Sequence, residues 1–301
     1  MNQHPRILIG IASYRDPELP KTIASALQNA KHKDRLVFAV VNQCDPSTQH
    51  SLDALSIPHL KLAQFDYRLS AGVGFARRLM TDFWVDEDFA LQIDAHTRFQ
   101  QGWDEILLQE WQACQDPCAV LSAYPTPFKY DANGQESFTP YSKVCIVNVE
   151  KFNQYIPIFK GALKHEPTAQ RRPILGTSAG FIFGPGAIFG VPYIKEICFM
   201  GEEFARAFQL FSHGFNLYAP NVLPLYHLYY RPGSRFWHDM PQNGDQARYN
   251  HLTKQSYDFL RQLLKGELAN YPAYFGSTRT LADYETYLGQ SILLSSESPG
   301  P

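Results

Sequence analysis

Asp94 and His96 close an apolar, strand-like run, ALQIDAHTRF (90–99). In an extended chain alternate side chains point the same way, so this carboxylate and imidazole share one face. The pair is either half of a divalent-metal site or a polar strand exit with a satisfied histidine. A carboxylate with an imidazole suits Mn²⁺ better than Ca²⁺, which prefers oxygen alone. Two protein ligands are too few for a structural zinc site, but they suffice for an ion that shares its shell with phosphate oxygens. His227, in LYHLYYR, is the candidate third ligand. A histidine in that aromatic setting also serves well as a core residue.

Three further stretches carry chemistry. ASYRD (12–16) supplies a hydroxyl, a ring, a guanidinium and a carboxylate within five residues. It reads as a nucleotide pocket or as a polar turn opening a helix at Asp16-Pro17. SAGVGFARR (70–78) resembles a glycine-rich phosphate loop without its full fingerprint. Its glycines suit close backbone packing at a helix start, and Arg77 lies where it could reach a phosphate or stand on the surface. GEEF (201–204) places Glu202 and Glu203 at a helix start, where the dipole favours negative charge. It follows the compact GTSAG (176–180), so a carboxylate there could face an acceptor or a sugar.

The elements that must position these groups alternate in the first 130 residues. RILIGIAS (6–13), RLVFAVVNQ (35–43) and HLKLAQFDY (59–67) read as strands, continuous apolar runs being the mark of strands covered on both faces. The spacing predicts helices over ELPKTIASALQNA, over 70–84 with Ser70 as N-cap, and over GWDEILLQEWQAC. A strand ends at Asp94 and another spans AVLSAYPTPF. This order predicts an α/β fold with a mostly parallel sheet and helices on both faces, and ligands gather outside the carboxyl ends of such strands.

Residues 129–180 read as polar, with few long periodic runs, and KHEPTAQRRP as an exposed loop. EEFARAFQLFSHG (202–214) is a helix with Gly214 as its C-terminal stop. NLYAPNVLPLYHLYYR is aromatic and strand-like, and DQARYNHLTKQSYDFLRQLLKG is a last helix. Residues 286–301 are expected to form a disordered tail.

Composition narrows the class. The chain has 301 residues, 45% hydrophobic and 19% charged, with a formal net charge of -2, so it lacks the basic field on which nucleic-acid binding relies. Its five cysteines form no C-x-x-C pair and fit a reducing compartment. The absence of a signal-like N-terminus and of an 18-residue apolar span predicts a cytoplasmic protein without a membrane span.

IASYRDPELPKTIASALQNA, LQIDAHTRFQQGWDE, AGFIFGPG, GEEFARAFQLFSHGFNLYAP and YHLYYR, in this order, resemble the cytoplasmic N-acetylglucosaminyltransferases that modify hydroxyproline on a ubiquitin-ligase adaptor protein in protists. The resemblance covers roughly residues 6–240. It implies a single GT-A domain over 1–285, with a nucleotide-binding half to about residue 130 and an acceptor and sugar half from 131. It also implies a UDP-sugar donor, UDP-GlcNAc by analogy, and a divalent metal, Mn²⁺ or Mg²⁺. Asp94-Ala95-His96 matches the family's form of the acidic metal motif, with Ala95 in place of serine. Asp94, His96 and His227 become the metal ligands. Ala12, Ser13, Tyr14, Arg15, Asp16, Arg77, Asp94 and Ala95, with Ser178, Ala179 and Gly180, become the nucleotide-sugar surface. Glu202, Glu203 and Asp94 become the catalytic carboxylates. The implied reaction is sugar transfer to a hydroxyl on a protein or glycan with retention, by front-face displacement or through a covalent intermediate. The alternatives are an inactive nucleotide-sugar-binding module and a nucleotide-sugar hydrolase.

Overall fold

The computed structural model describes residues 5–140, 143–153, 155–230, 233, 235–289 and 291–292. Its centre is an eight-stranded sheet built from β1 (Ile7–Tyr14), β2 (Leu36–Cys44), β3 (Leu60–Asp66), β4 (Phe89–Asp94), β6 (Ala119–Ser122), β11 (Arg172–Pro173), β12 (Phe181–Pro185) and β13 (Asn216–Ala219). Their spatial order is β11-β13-β6-β12-β4-β1-β2-β3. Strands β11 and β12 run against the rest, and the other six are parallel. The sheet interleaves segments from both ends of the chain, because β12 is inserted between β4 and β6.

Alternation along β1 sends Ile7, Ile9 and Ile11 to one face and Leu8 to the other. The first face packs on α1 (Leu19–Asn29) and α3 (Trp103–Gln112) through Leu19, Ile23, Trp103 and Leu107. The second packs on α2 (Val73–Thr81), α4 (Ala187–Gly190) and α5 (Glu202–Ser212) through Ala76, Met80, Ile188, Phe204 and Phe208. Gly10 lies on this second face, where an added Cβ would sit 2.7 Å from the Met80 sulfur and 2.8 Å from the Phe189 ring. Both faces of the central strands β1, β2 and β4 are therefore covered, and these strands read as continuous apolar runs, whereas β3 at the edge leaves Leu60 and Leu62 exposed.

A second sheet, of order β5-β14-β7-β8, holds β5 (Thr97–Phe99), β14 (Leu225–His227), β7 (Thr126–Tyr130) and β8 (Glu136–Phe138). AVLSAYPTPF thus splits into β6 and β7 in different sheets, and the C-terminal aromatic run splits into β13 and β14. Prolines at 125 and 224 fall at these breaks, as expected for residues that cannot donate to a ladder.

The polar reading of 129–180 is corrected by β9 (Val144–Asn153) and β10 (Ile156–His165), which form a long antiparallel hairpin. Two register shifts break its alternation, so the apolar residues that it buries, among them Val144, Val147, Ile156 and Phe159, do not fall on a clean period of two. The rest is helical, with α6 (Phe236–Gln242), α7 (Gln246–Leu264), α8 (Tyr271–Tyr274) and α9 (Leu281–Leu288). Helix α9, with Thr280 and Asp283 in a capping box, takes the first residues expected in the tail. Residues 290 and 293–301 of that tail lie outside the described residues. Among the described residues no helix is long and apolar enough to cross a membrane.

Candidate active site

Strands β1 and β4 end side by side, with Ala12 opposite Asp94 in parallel register. Beyond them opens a cavity of about 550 Å³ lined by Tyr14, Asp16, Arg77, Asp94, His96, Glu202, Glu203 and His227, among others. Thr22 on α1 fixes the Asp-Ala-His turn, donating to the Ala95 carbonyl (2.7 Å) and accepting from the Thr97 amide (3.0 Å). His227 lies 133 residues after Asp94. It arrives because β14 pairs with β5 in a register that sets His227 opposite Thr97.

The ligand atoms of Asp94, His96 and His227 all lie within 4.8 Å of one another. His227 Nε2 is 3.0 Å from Asp94 Oδ2, and the two imidazole rings are 4.5 Å apart. His96 Nδ1 is 2.8 Å from Asp16 Oδ2, which leaves its Nε2 as the ligating nitrogen. Two imidazoles and one carboxylate suit a divalent ion of the Mn²⁺ type. A Cβ at position 180 would stand 3.2 Å from Asp94 Oδ2 and 3.4 Å from the His227 ring, so Gly180 leaves room beside the donors. The donor set fits such an ion.

Arg77 is the electrostatic hub. Its side chain is 3% exposed. One nitrogen donates to Asp94 Oδ1 (2.9 Å) and the other to Glu202 Oε1, to which Tyr193 also donates (2.8 Å). Burial works against the charge of Asp94, but the His227 hydrogen bond and Arg77 outweigh it and hold this carboxyl well below the usual range. Glu203 behaves oppositely: burial dominates and pushes it up to about 7, although the Ala179 amide and the Tyr124 hydroxyl each donate to it at 2.8 Å.

Several sequence expectations are relocated. Ser70 is not the N-cap of α2; Gly72 holds that position with φ +102°, and the Ser70 hydroxyl accepts the Gly72 amide (3.2 Å). A Cβ at Gly72 or Gly74 would collide with the backbone of 194–198, whose carbonyls at Cys198 and Ile197 accept the Val73 and Gly74 amides. This glycine-rich turn therefore docks a loop, and those amides are not offered to a phosphate. Arg15, at φ +45°, turns away from the cavity to pair with Asp239 (2.7 Å) over the Tyr67 ring. Ser13 and Ser178 are buried, and the Ser178 amide donates to Ser122 Oγ (2.8 Å). Ala12, Ala95 and Ala179 line the cavity, whereas Ser13, Arg15, Ser178 and Gly180 do not.

An aromatic part of the cavity lining escaped the sequence reading. Phe199, Met200, Phe236 and Trp237 form it, and Phe199 packs against Trp237 at 4.4 Å while 48% exposed. Its signal was the aromatic doublet at 236–237, which no local pattern tied to 199.

Residues 47–291 match the family described as Glycosyltransferase (GlcNAc). No curated protein sequence matches the chain. Among solved structures the chain is similar to GalNAc-T7, crystallised with UDP, GalNAc and Mn²⁺, with a TM-score of 0.57 at 13% identity. That likeness covers 97% of this chain and 56% of GalNAc-T7, so the chain spans little more than half of that protein. It is also similar to residues 1–349 of S. aureus TarS, with a TM-score of 0.54 at 12% identity, over 94% of this chain and 69% of that one. The TarS complex with UDP-GlcNAc gives 0.51 at 13%, over 88% and 74%. At these identities the shared property is the fold.

Proposed function

The chain belongs to the Glycosyltransferase (GlcNAc) family and has the GT-A fold, and from that premise we propose that it is a metal-dependent enzyme that moves N-acetylglucosamine from UDP-GlcNAc to a hydroxyl acceptor with retention of configuration. The observation that carries this reading is the convergence of Asp94, His96 and His227 within 4.8 Å at the carboxyl ends of the central strands. The relatives crystallised with UDP and Mn²⁺, or with UDP-GlcNAc, support the donor and metal classes.

Asp94, His96 and His227 would hold Mn²⁺, or Mg²⁺ in its place, and the ion would supply a Lewis acid that neutralises charge on the departing diphosphate. The chain's own residues do the positioning. Arg77 clamps Asp94 and Glu202 on one guanidinium, fixing the two carboxylates relative to each other. Ala12 and Tyr14 form the donor side at the end of β1. Glu202 is committed to Arg77 and Tyr193. Glu203 is therefore the member of the acidic pair assigned to meet sugar or acceptor hydroxyls, while Tyr124 and the Ala179 amide keep it in place. Residues 1–285 act as one catalytic unit in this reading. Five cysteines, none of them in a disulfide, suit a reducing, cytoplasmic setting. The narrower resemblance to hydroxyproline-modifying enzymes makes a polypeptide hydroxyl the first acceptor to try.

Thermal unfolding with UDP and UDP-GlcNAc, each with and without Mn²⁺, tests the reading. A ligand at about 100 times its dissociation constant stabilises the fold by about 2.7 kcal/mol, and the Mn²⁺-dependent part should vanish in Asp94→Ala/His96→Ala. Absence of any nucleotide-dependent shift in the wild type would sink the proposal. Release of free GlcNAc without acceptor modification would turn it into a hydrolase.

A further inference from the structure

We propose that Asp16 is a positioning residue that sets the tautomer of His96, and so governs whether that imidazole can ligate a metal, in place of the nucleotide contact expected from the sequence. The inference rests on the metal-site reading above. Asp16 is buried, and its two oxygens face different groups. Oδ1 accepts the Glu18 amide (3.0 Å), the turn that opens α1, and Oδ2 lies 2.8 Å from His96 Nδ1.

A carboxylate only accepts hydrogen bonds, so Nδ1 must carry the hydrogen. In the neutral ring the lone pair then sits on Nε2, the nitrogen free to meet Asp94 and His227. The two bonds make the site sensitive to one atom. Asn at position 16 has one oxygen and one NH₂. The turn requires the oxygen at the Glu18 amide, which turns the NH₂ towards His96 as a donor. Nδ1 must then accept, the hydrogen moves to Nε2, and the ligating lone pair is lost. The flipped amide would set two donors against each other at Glu18. Asp16→Asn thus keeps the turn and the side-chain volume while inverting the imidazole.

The test uses the full chain, metal-free, at a pH where the ring is neutral. Nitrogen-15 NMR of the imidazole reads the tautomer. Mn²⁺ titration followed by electron paramagnetic resonance reads affinity without turnover. The wild type should show His96 hydrogenated on Nδ1 and should bind Mn²⁺. Asp16→Asn should show the hydrogen on Nε2 and bind Mn²⁺ about 10- to 100-fold more weakly, with a cooperative metal-free melting transition showing that it folds. Equal Mn²⁺ affinity in the two proteins overturns the inference and leaves the metal site standing. A wild type that binds no Mn²⁺ overturns both. Should Asp16→Asn fail to fold, the wild-type spectrum alone decides, because a hydrogen on Nε2 of His96 there would refute the assignment.

Discussion

The two walls of the cavity are built on opposite principles. One is a chain of buried charge in which Glu202, Arg77, Asp94 and His227 are linked side chain to side chain, with Asp16 and His96 paired beside them. The other is aromatic, with Phe199 and Trp237 packed on each other and Tyr14 edge-on to Phe236 at 6.0 Å. The first wall has little freedom, since each group is held by a partner of fixed geometry and a buried charge without its partner is costly. The second relies on contacts that tolerate small shifts. Positions for charge are thus set in advance, while the aromatic side can accommodate the shape of what enters.

Breaking the ionic wall should have the largest effect. Arg77→Met leaves Asp94 and Glu202 without their shared cation and should destabilise the fold by about 3–5 kcal/mol, read by denaturant unfolding. Adding Glu202→Gln should recover part of the loss. If Arg77→Met melts like the wild type, the ionic wall is not structural.

Glu203 sharpens the comparison, because burial holds its carboxyl above the usual range, at about 7, where Asp94 is held below it. The folded pKa lies above the ordinary value near 4.5. The fold therefore binds this proton more tightly than the unfolded chain, and stability falls as pH rises from about 4.5 to 7. Glu203→Gln should remove that slope from the melting temperature measured against pH. A slope equal to that of the wild type would show that Glu203 ionises normally.

The smallest effect belongs to the aromatic wall. Phe199→Ala removes a half-exposed ring and should change stability by no more than about 0.5 kcal/mol, by the same unfolding measurement. A loss comparable to that of Arg77→Met would erase the distinction between the walls.

Legibility in the sequence followed the same division. Strands β1, β2 and β4 are continuous apolar runs because both of their faces are covered, and a run of that kind is readable without knowing what covers it. Helix α5 was readable from Phe204, Ala207, Phe208 and Phe211 on one face. The hairpin of β9 and β10 was not, since its register shifts blur the alternation that would mark it. Arg15 and Arg77 looked alike as basic residues near a phosphate pocket. Only the packed structure sends one to Asp239 and buries the other between two carboxylates.

Local sequence determined the residue types at the strand ends, but not how Asp94 and His96 come together: β4 stops at Asp94, and a turn at 95–96 held by Thr22, not strand alternation, places the imidazole. Tertiary structure decided which of those groups meet. The β5–β14 register brings His227 to Asp94, the start of α1 gives Asp16 to His96, and α5 sets Glu202 against Arg77. Such meetings depend on pairing registers and helix packing between segments far apart in the chain, and no local pattern encodes them.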